Sequence, residues 1–299
     1  MPTQLTKAQE LGIFETSPLG LGTSRLGAFW QKRSPAQGLA TLEAALDAGI
    51  SLIDTADVYA RGISERLVGK ATRQRPEVTV MTKVGLLKTP RGILEARRHQ
   101  KKLDLQGLAA ASLPGTCFAP DYVQAAAYRC LKRQGRAELD ILLLHEPQPA
   151  DLARPELIER LNQLQQRGMI RAWGASVRNQ EAALAASQAE GLRILQIPSP
   201  LGRQQIADSL LERREGISLI GLALLGDGTL LPRLTQAGLS PDQALAALVH
   251  GAYQHPALDA ILLGMSRPGH VQANLAALSE PLDPQVLQTA QSLLEREEA

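Results

Sequence analysis

Five polar or charged residues close short apolar runs in this 299-residue chain. Asp54 follows Ile50–Ile53, Lys83 follows Val78–Thr82, His145 follows Asp140–Leu144, Ser176 follows Arg171–Ala175, and Gln196 follows Leu192–Leu195. Each is expected to be partly buried and aimed at one mouth of a sheet. Buried charge must be paired, so Asp54 and Lys83 are natural partners. Tyr59 lies five residues beyond Asp54. An ammonium near a phenol favours the phenolate, and a fall of ~2 units in its pKa is worth only ~2.7 kcal/mol. The expectation is a Tyr59 able to exchange a proton with a substrate oxygen near neutral pH. His145 would donate a hydrogen bond to that same oxygen. Such a group has no strong nucleophile and no metal set. It suits protonation of an oxygen while something else attacks carbon, as carbonyl reduction requires.

The elements that must position these residues alternate along the chain. Eight short, mostly apolar runs read as strands: Leu19–Gly22, Ile50–Asp54, Val78–Lys83, Leu139–His145, Ile170–Ser176, Leu192–Ile197, Ile217–Leu222 and Leu258–Leu263. Consecutive apolar positions suit parallel strands covered on both faces. Amphipathic patterns lie between them, such as Leu39, Leu42 and Leu46 before Gly49, and Val123, Ala126, Ala127, Cys130 and Leu131. Ser64 reads as the N-cap of a helix over Glu65–Thr72. Eight strands each followed by a helix predict a (β/α)8 TIM barrel, whose chemistry sits at the carboxyl ends of the strands. Three additions are expected: an N-terminal extension over residues 1–16 plugging the lower end, a long insertion over Gly85–Pro120 after the third strand, and an extra C-terminal helix over Asp283–Glu298. A doubly wound sheet would want a third glycine after Gly20 and Gly22, which Arg25 does not supply.

Composition narrows the function classes. Lys and Arg number 32 against 30 Asp and Glu, a net charge of only +2, so nothing marks a nucleic-acid partner. Cys117 and Cys130, the two cysteines, make neither a disulfide framework nor a zinc site unaided. The first fifteen residues carry Lys7, Glu10 and Glu15, unlike a secretory signal, and no apolar run reaches the ~20 residues of a membrane span. The expectation is a single domain over residues 1–299, cytoplasmic, with no metal, no membrane and a small-molecule partner.

The residues also carry a family resemblance. Gly49–Tyr59 (GISLIDTADVY) with Ser64–Gly69 (SERLVG), then Met81–Gly85 (MTKVG), then Leu139–His145 (LDILLLH), resemble the motifs of the aldo-keto reductases, in order. The likeness runs from Leu19 to Asn274, and the insertion after Lys83 looks most like the bacterial aldose and sugar dehydrogenase branch. It implies a NAD(P)-dependent oxidoreductase interconverting a carbonyl and an alcohol, with Tyr59 as general acid/base and Lys83, Asp54 and His145 completing the catalytic group. It also implies cofactor contacts from Gly22, Thr23, Ser176, Gln196, Gly264, Arg267 and Asn274. Leu222 stands where the family commonly stacks an aromatic ring on the nicotinamide, and Gly264 where some members place a lysine. Arg267 could hold a 2′-phosphate in its planar fork, which favours NADP over NAD. Phe29, Trp30 and Phe118 are candidate walls of the substrate pocket.

Two other readings use the same residues: a redox-inactive barrel that binds nucleotide and acts through partners, and a cofactor-free lyase or isomerase using Tyr59 and Lys83. Each side chain also has a structural reading. Asp54 and Lys83 are alternatively a buried ion pair, and His145 a core histidine. Ser176 and Gln196 are alternatively satisfied rim polars, Arg267 a solvated charge, and Phe118 packing under the long loop.

Overall fold

The computed structural model describes residues 9–27, 34–88, 115–213 and 215–295. The described residues form ten strands: β1 (Gln9–Leu11), β2 (Phe14–Thr16), β3 (Leu19–Gly22), β4 (Leu52–Asp54), β5 (Thr79–Val84), β6 (Leu139–His145), β7 (Ile170–Ser176), β8 (Ile194–Pro198), β9 (Ser218–Leu222) and β10 (Ala260–Gly264). The last eight pair in parallel and close into a barrel in the order β10-β3-β4-β5-β6-β7-β8-β9. The predicted (β/α)8 architecture is present. Three strands match their expected bounds, and the others differ by one or two residues at their ends.

Helices cover the outside: α1 (Pro35–Asp47), α2 (Ile63–Ala71), α3 (Pro120–Gln134), α4 (Pro155–Gln166), α5 (Gln180–Ser187), α6 (Gln205–Leu210), α7 (Pro241–Tyr253) and α8 (Pro268–Ser279). A further helix, α9 (Pro284–Glu295), buries Ala290 and Leu294 against the same shell, as the tail's periodicity predicts. Ser64 does not cap α2. That helix starts at Ile63 with Gly62 at the N-cap, and the Ser64 hydroxyl is committed to Thr23 Oγ1 at 2.7 Å and Thr55 Oγ1 at 2.9 Å.

β1 and β2 form a hairpin below β3. Its Leu11 and Phe14 pack among Leu52, Met81, Ile141, Ile194 and Ile220, inside the barrel, with Arg171 at the start of β7 over the Phe14 ring. The described part of the N-terminal extension therefore plugs the lower end. The ends of the insertion zip together, since Leu86 bridges Thr116 and Cys117 N–H donates to Gly85 O at 2.8 Å.

Successive side chains of a strand point to opposite faces. Ile141 and Leu143 face the interior, whereas Leu142 and Leu144 join the shell under the helices. That period of two explains where the site comes from. Leu52, Met81, Leu143, Ile194 and Leu262 fill the barrel, and the next inward position on each of those strands is Asp54, Lys83, His145, Gln196 and Gly264. The polar layer is thus the top layer of the barrel interior. Parallel register aligns it: His145 pairs with Ser176, Ser176 with Gln196, Gly22 with Asp54, and Gly264 with Gly22.

Candidate active site

A cavity of about 320 Å³ opens above this layer, lined by Gly22, Asp54, Tyr59, Lys83, His145, Ser176, Leu222 and Gly264 together with loop residues. Lys83 is buried, and its Nζ donates to both carboxylate oxygens of Asp54 at 2.5 Å. It also reaches the Thr55 carbonyl at 3.2 Å and the Tyr59 hydroxyl at 3.4 Å. The Tyr59 and His145 rings meet edge to face, with centroids 6.0 Å apart. The four residues singled out for chemistry are therefore one contiguous group at the mouth.

Electrostatics modify the expectation for Tyr59. Burial raises its pKa above the ordinary value and outweighs the Lys83 ammonium, which pulls the other way; Asp54 adds to the rise. The expected acidification is overturned. Burial is the larger effect and Asp54 cancels part of the ammonium's pull, and no sequence pattern states how dry the phenol is. Tyr59 is accordingly a neutral phenol at neutral pH, loaded with the proton that an acid needs. Burial also opposes charge on Lys83, but Asp54 and Tyr59 more than offset it, so the ammonium is held above its ordinary range. His145 is driven well below the usual imidazole range by burial and then by Lys83, Lys88 and Arg178. A neutral imidazole keeps one N–H to donate.

Gln196 anchors the other side of Asp54, donating from Nε2 to Oδ1 at 2.7 Å. Its Oε1 and His145 Nδ1 are buried without hydrogen-bond partners among the described residues. Buried polar atoms without a partner call for one; His145 lines the cavity, whereas Gln196 lies beneath it and does not. Thr23 is used within the fold: its hydroxyl donates to the Asp54 carbonyl at 2.9 Å and ties β3 to β4. Gly264 is exposed, and a Cβ there would meet nothing within 4 Å.

The remaining predicted residues lie elsewhere. Phe118 is fully buried against Gly85, where a Cβ would come within 2.1 Å of its ring, so it is core and not a wall of this cavity. Arg267 is the exposed N-cap of α8, its Nε donating to His270 at 2.8 Å, and Asn274 is buried on the same helix; neither lines the cavity. Phe29 and Trp30 fall outside the described residues.

Sequence reasoning missed the loop residues Lys88, Glu146, Arg178 and Asp227, which also line the cavity. Arg178 and Glu146 pair at 2.8 Å. For Glu146 and Arg178 the signal was position, one and two residues past a strand end; Lys88 and Asp227 lie four and five residues past theirs. Backbone conformation marks the same mouth. The non-glycine residues with positive φ among those described are Ala60, Arg61, Glu146, Ala223 and Asp227, all in loops after strands β4, β6 and β9. Such outliers persist where the surroundings over-determine them, commonly at functional sites. Among the described residues, no group of three or more His, Cys, Asp or Glu could hold a metal, and no helix is long and apolar enough to cross a membrane.

Comparison with known proteins addresses the fold and the family. A probable aldo-keto reductase of Glycine max is 27% identical over 222 residues, spanning 72% of this chain and 58% of its own length. A D-threo-aldose 1-dehydrogenase of a Pseudomonas species is 29% identical over 188 residues, 60% of this chain and 55% of that protein. The chain thus spans little more than half the length of these curated relatives. The holo form of an aldo-keto reductase from Bacillus halodurans shares the fold at TM-score 0.72, with 22% identity and 96% of each chain covered. An aldo/keto reductase from Klebsiella pneumoniae, solved with NADP and acetate, gives 0.68 with 24% identity, covering 94% of this chain and 92% of that one. Residues 18–243, about three quarters of the sequence, match the Aldo/keto reductase family as a whole, and the chain belongs to that family.

Proposed function

We propose that this protein is a NAD(P)-dependent oxidoreductase that interconverts a carbonyl and an alcohol, with Tyr59 as the proton donor in reduction. The observation that carries the reading is the placement of the Tyr59 hydroxyl 3.4 Å from Lys83 Nζ at the cavity, beside a neutral His145. The residues present fit a nicotinamide dinucleotide. Ser176 lines the cavity and Gln196 offers a buried, unused amide oxygen, which suits a carboxamide. Gly22 and Gly264 leave the rim open, Leu222 forms a wall, and Arg267, exposed at the start of α8, can take a phosphate. NADP is the preferred cofactor, in line with the Klebsiella pneumoniae relative solved with it.

When bound, the dinucleotide supplies the hydride. The chain's own residues handle the oxygen. His145 donates its N–H to the carbonyl oxygen and orients it. As charge grows on that oxygen, Tyr59 gives up its proton to it. Lys83, fixed by Asp54, stabilises the phenolate left behind, and its ammonium is held charged by the same carboxylate. The low aromatic content, 3% of residues, points to small aliphatic carbonyls in place of aryl substrates.

The test is NADPH consumption followed at 340 nm over a panel of aliphatic aldehydes, ketones and sugars, with Tyr59→Phe as control. The expected result is turnover by the native protein and loss of at least roughly a hundredfold in the variant, the usual worth of a general acid, at unchanged NADPH affinity. Equal turnover by the variant would remove the mechanism. NADPH binding with no turnover on any carbonyl would point to the regulatory reading.

A further inference from the structure

Thr82 and Lys83 are neighbours on β5 that face opposite ways. Lys83 enters the barrel, while Thr82 Oγ1 donates to Glu65 Oε1 at 2.8 Å on the helix side. Glu65 is fully buried; it is ion-paired with Arg133 Nε and accepts from Gln134 Nε2 at 3.3 Å. A buried carboxylate therefore stands directly behind the strand that presents the ammonium.

The turn that carries Tyr59 is clamped by this cluster. Ala60, Arg61 and Gly62 take φ of 47°, 55° and 82°, three left-handed residues in a row immediately after the phenol. A Cβ on Gly62 would come within 2.7 Å of Arg133 Cδ, so the arginine stem lies against the turn. At the turn's other end, Asp57 N–H donates to the Lys83 carbonyl at 3.1 Å. Asp57 Oδ1 is buried with no hydrogen-bond partner among the described residues, and so is Gln134 Oε1 in the same cluster. These two oxygens are acceptors left unmatched, and a proton on Asp57 would turn part of its carboxyl into a donor.

We propose that Asp57 is a positioning residue, which with Glu65 and Arg133 forms a partly buried bracket that sets the Tyr59 hydroxyl against Lys83, and that ionisation of its carboxyl shifts the turn. The inference rests on reading Tyr59 as the proton donor. The groups facing Asp57 are Glu65 on α2 and Arg129, Cys130 and Arg133 on α3. Burial first and Glu65 second push the Asp57 carboxyl up to about 7, against the two arginines and the Val58 amide. Cys130 stays a neutral thiol, its pKa driven up by burial. None of the groups that touch the reacting oxygen titrates there: Tyr59 and Lys83 lie above their ordinary ranges and His145 well below its own. The neutral acid complements the Glu65–Arg133 pair, and its ionised form adds a second carboxylate beside Glu65.

The experiment labels tyrosine Cζ with carbon-13 in the full chain, assigns the Tyr59 signal with Tyr59→Phe, and follows it from pH 5.5 to 8.5. The native signal is expected to shift with a midpoint near 7, and Asp57→Asn to abolish that inflection. In parallel, native kcat for carbonyl reduction is expected to fall roughly tenfold from pH 6 to pH 8, with KM for NADPH unchanged. Asp57→Glu should restore an inflection. If Asp57→Asn does not fold, Glu65→Gln serves instead: losing that charge should move the midpoint down by about one unit. A flat native signal, or the same inflection in Asp57→Asn, overturns the inference. An inflection in a protein that reduces no carbonyl supports the bracket and overturns the proposed function, so the two fail separately.

Discussion

Lys83 Nζ lies 2.5 Å from each carboxylate oxygen of Asp54 and 3.4 Å from the oxygen of Tyr59. The ammonium is thus held first by the carboxylate and shared only secondarily with the phenol. Burial outweighs the cation at Tyr59, and the Asp54 carboxylate offsets part of the cation's pull. The ordering of contacts also bears on the role of Lys83. Under the proposed function it would be a fixed charge that receives the phenolate after proton transfer, and not a group that ionises the phenol beforehand.

Replacing Lys83 by Met is expected to damage folding and turnover together. The variant leaves Asp54 buried with Gln196 Nε2 beside it and no cation. Removing one partner of a buried pair costs about 3–5 kcal/mol, read as a lower urea midpoint at pH 7. The pH dependence has a definite sign. Lys83 has a folded pKa above its unfolded one. Its stabilisation is therefore complete below the unfolded value and is lost as pH rises through the folded value. Native protein should lose stability in the alkaline range beyond what the variant loses there. Parallel alkaline curves for the two proteins would contradict a raised Lys83.

Asp57→Asn should stabilise the protein at alkaline pH. Its carboxyl has a folded pKa of about 7 against an ordinary 3.8. Below 3.8 the group is neutral in both states. As pH rises from there to about 7, the unfolded chain ionises it and the folded one does not, so stability falls; above 7 the penalty is constant. Between pH 5 and pH 8 about two units of that gap are traversed. The advantage of the variant over native protein should grow by about 2–3 kcal/mol across this interval. Urea unfolding of both proteins at the two pH values checks it, and a constant difference would count against Asp57 as the group.

The barrel and the top layer of its interior were legible because each depends on short-range pattern. Apolar runs such as Leu139–His145 have a period and an end, and a polar residue at that end is forced to the mouth once the strand is parallel and covered on both faces. Asp54, Lys83 and His145 follow from that alone. What depends on three-dimensional surroundings was not legible. Phe118 has the composition of a pocket wall, yet Gly85 leaves room for its ring in the core. The acidity of Tyr59 depends on how much water the turn excludes. Ser64 has the chemistry of a cap, but two threonine hydroxyls, each one residue past a separate strand, claim it first.

Gly264→Lys should tighten binding of NADPH. The position is exposed at the end of β10 beside Gly22, and a Cβ there meets nothing within 4 Å. An added ammonium near a phosphate is worth roughly 0.5–1 kcal/mol at an exposed site, or about two- to fivefold in Kd. Nicotinamide fluorescence titrations at low and high salt check it. The gain should shrink as salt screens the charge. A salt-independent gain would point to packing instead.

Leu222→Tyr tests the same cofactor site from its apolar side. Leu222 is half-buried, packs against the interior layer of Ile220 and Leu262, and presents its remaining surface to the cavity. A ring at this position would replace aliphatic contact by stacking on a flat heteroaromatic ligand. Aromatic pairs contribute about 0.5–1.5 kcal/mol beyond area, so Kd for NADPH should fall by roughly two- to twelvefold. The gain should vanish for 2′-phospho-ADP-ribose, which has the dinucleotide's other groups but no nicotinamide ring. Equal tightening of both ligands would show that the ring acts on some other part of the molecule. Weaker binding of both would show that the cavity cannot take the larger side chain beside Leu262.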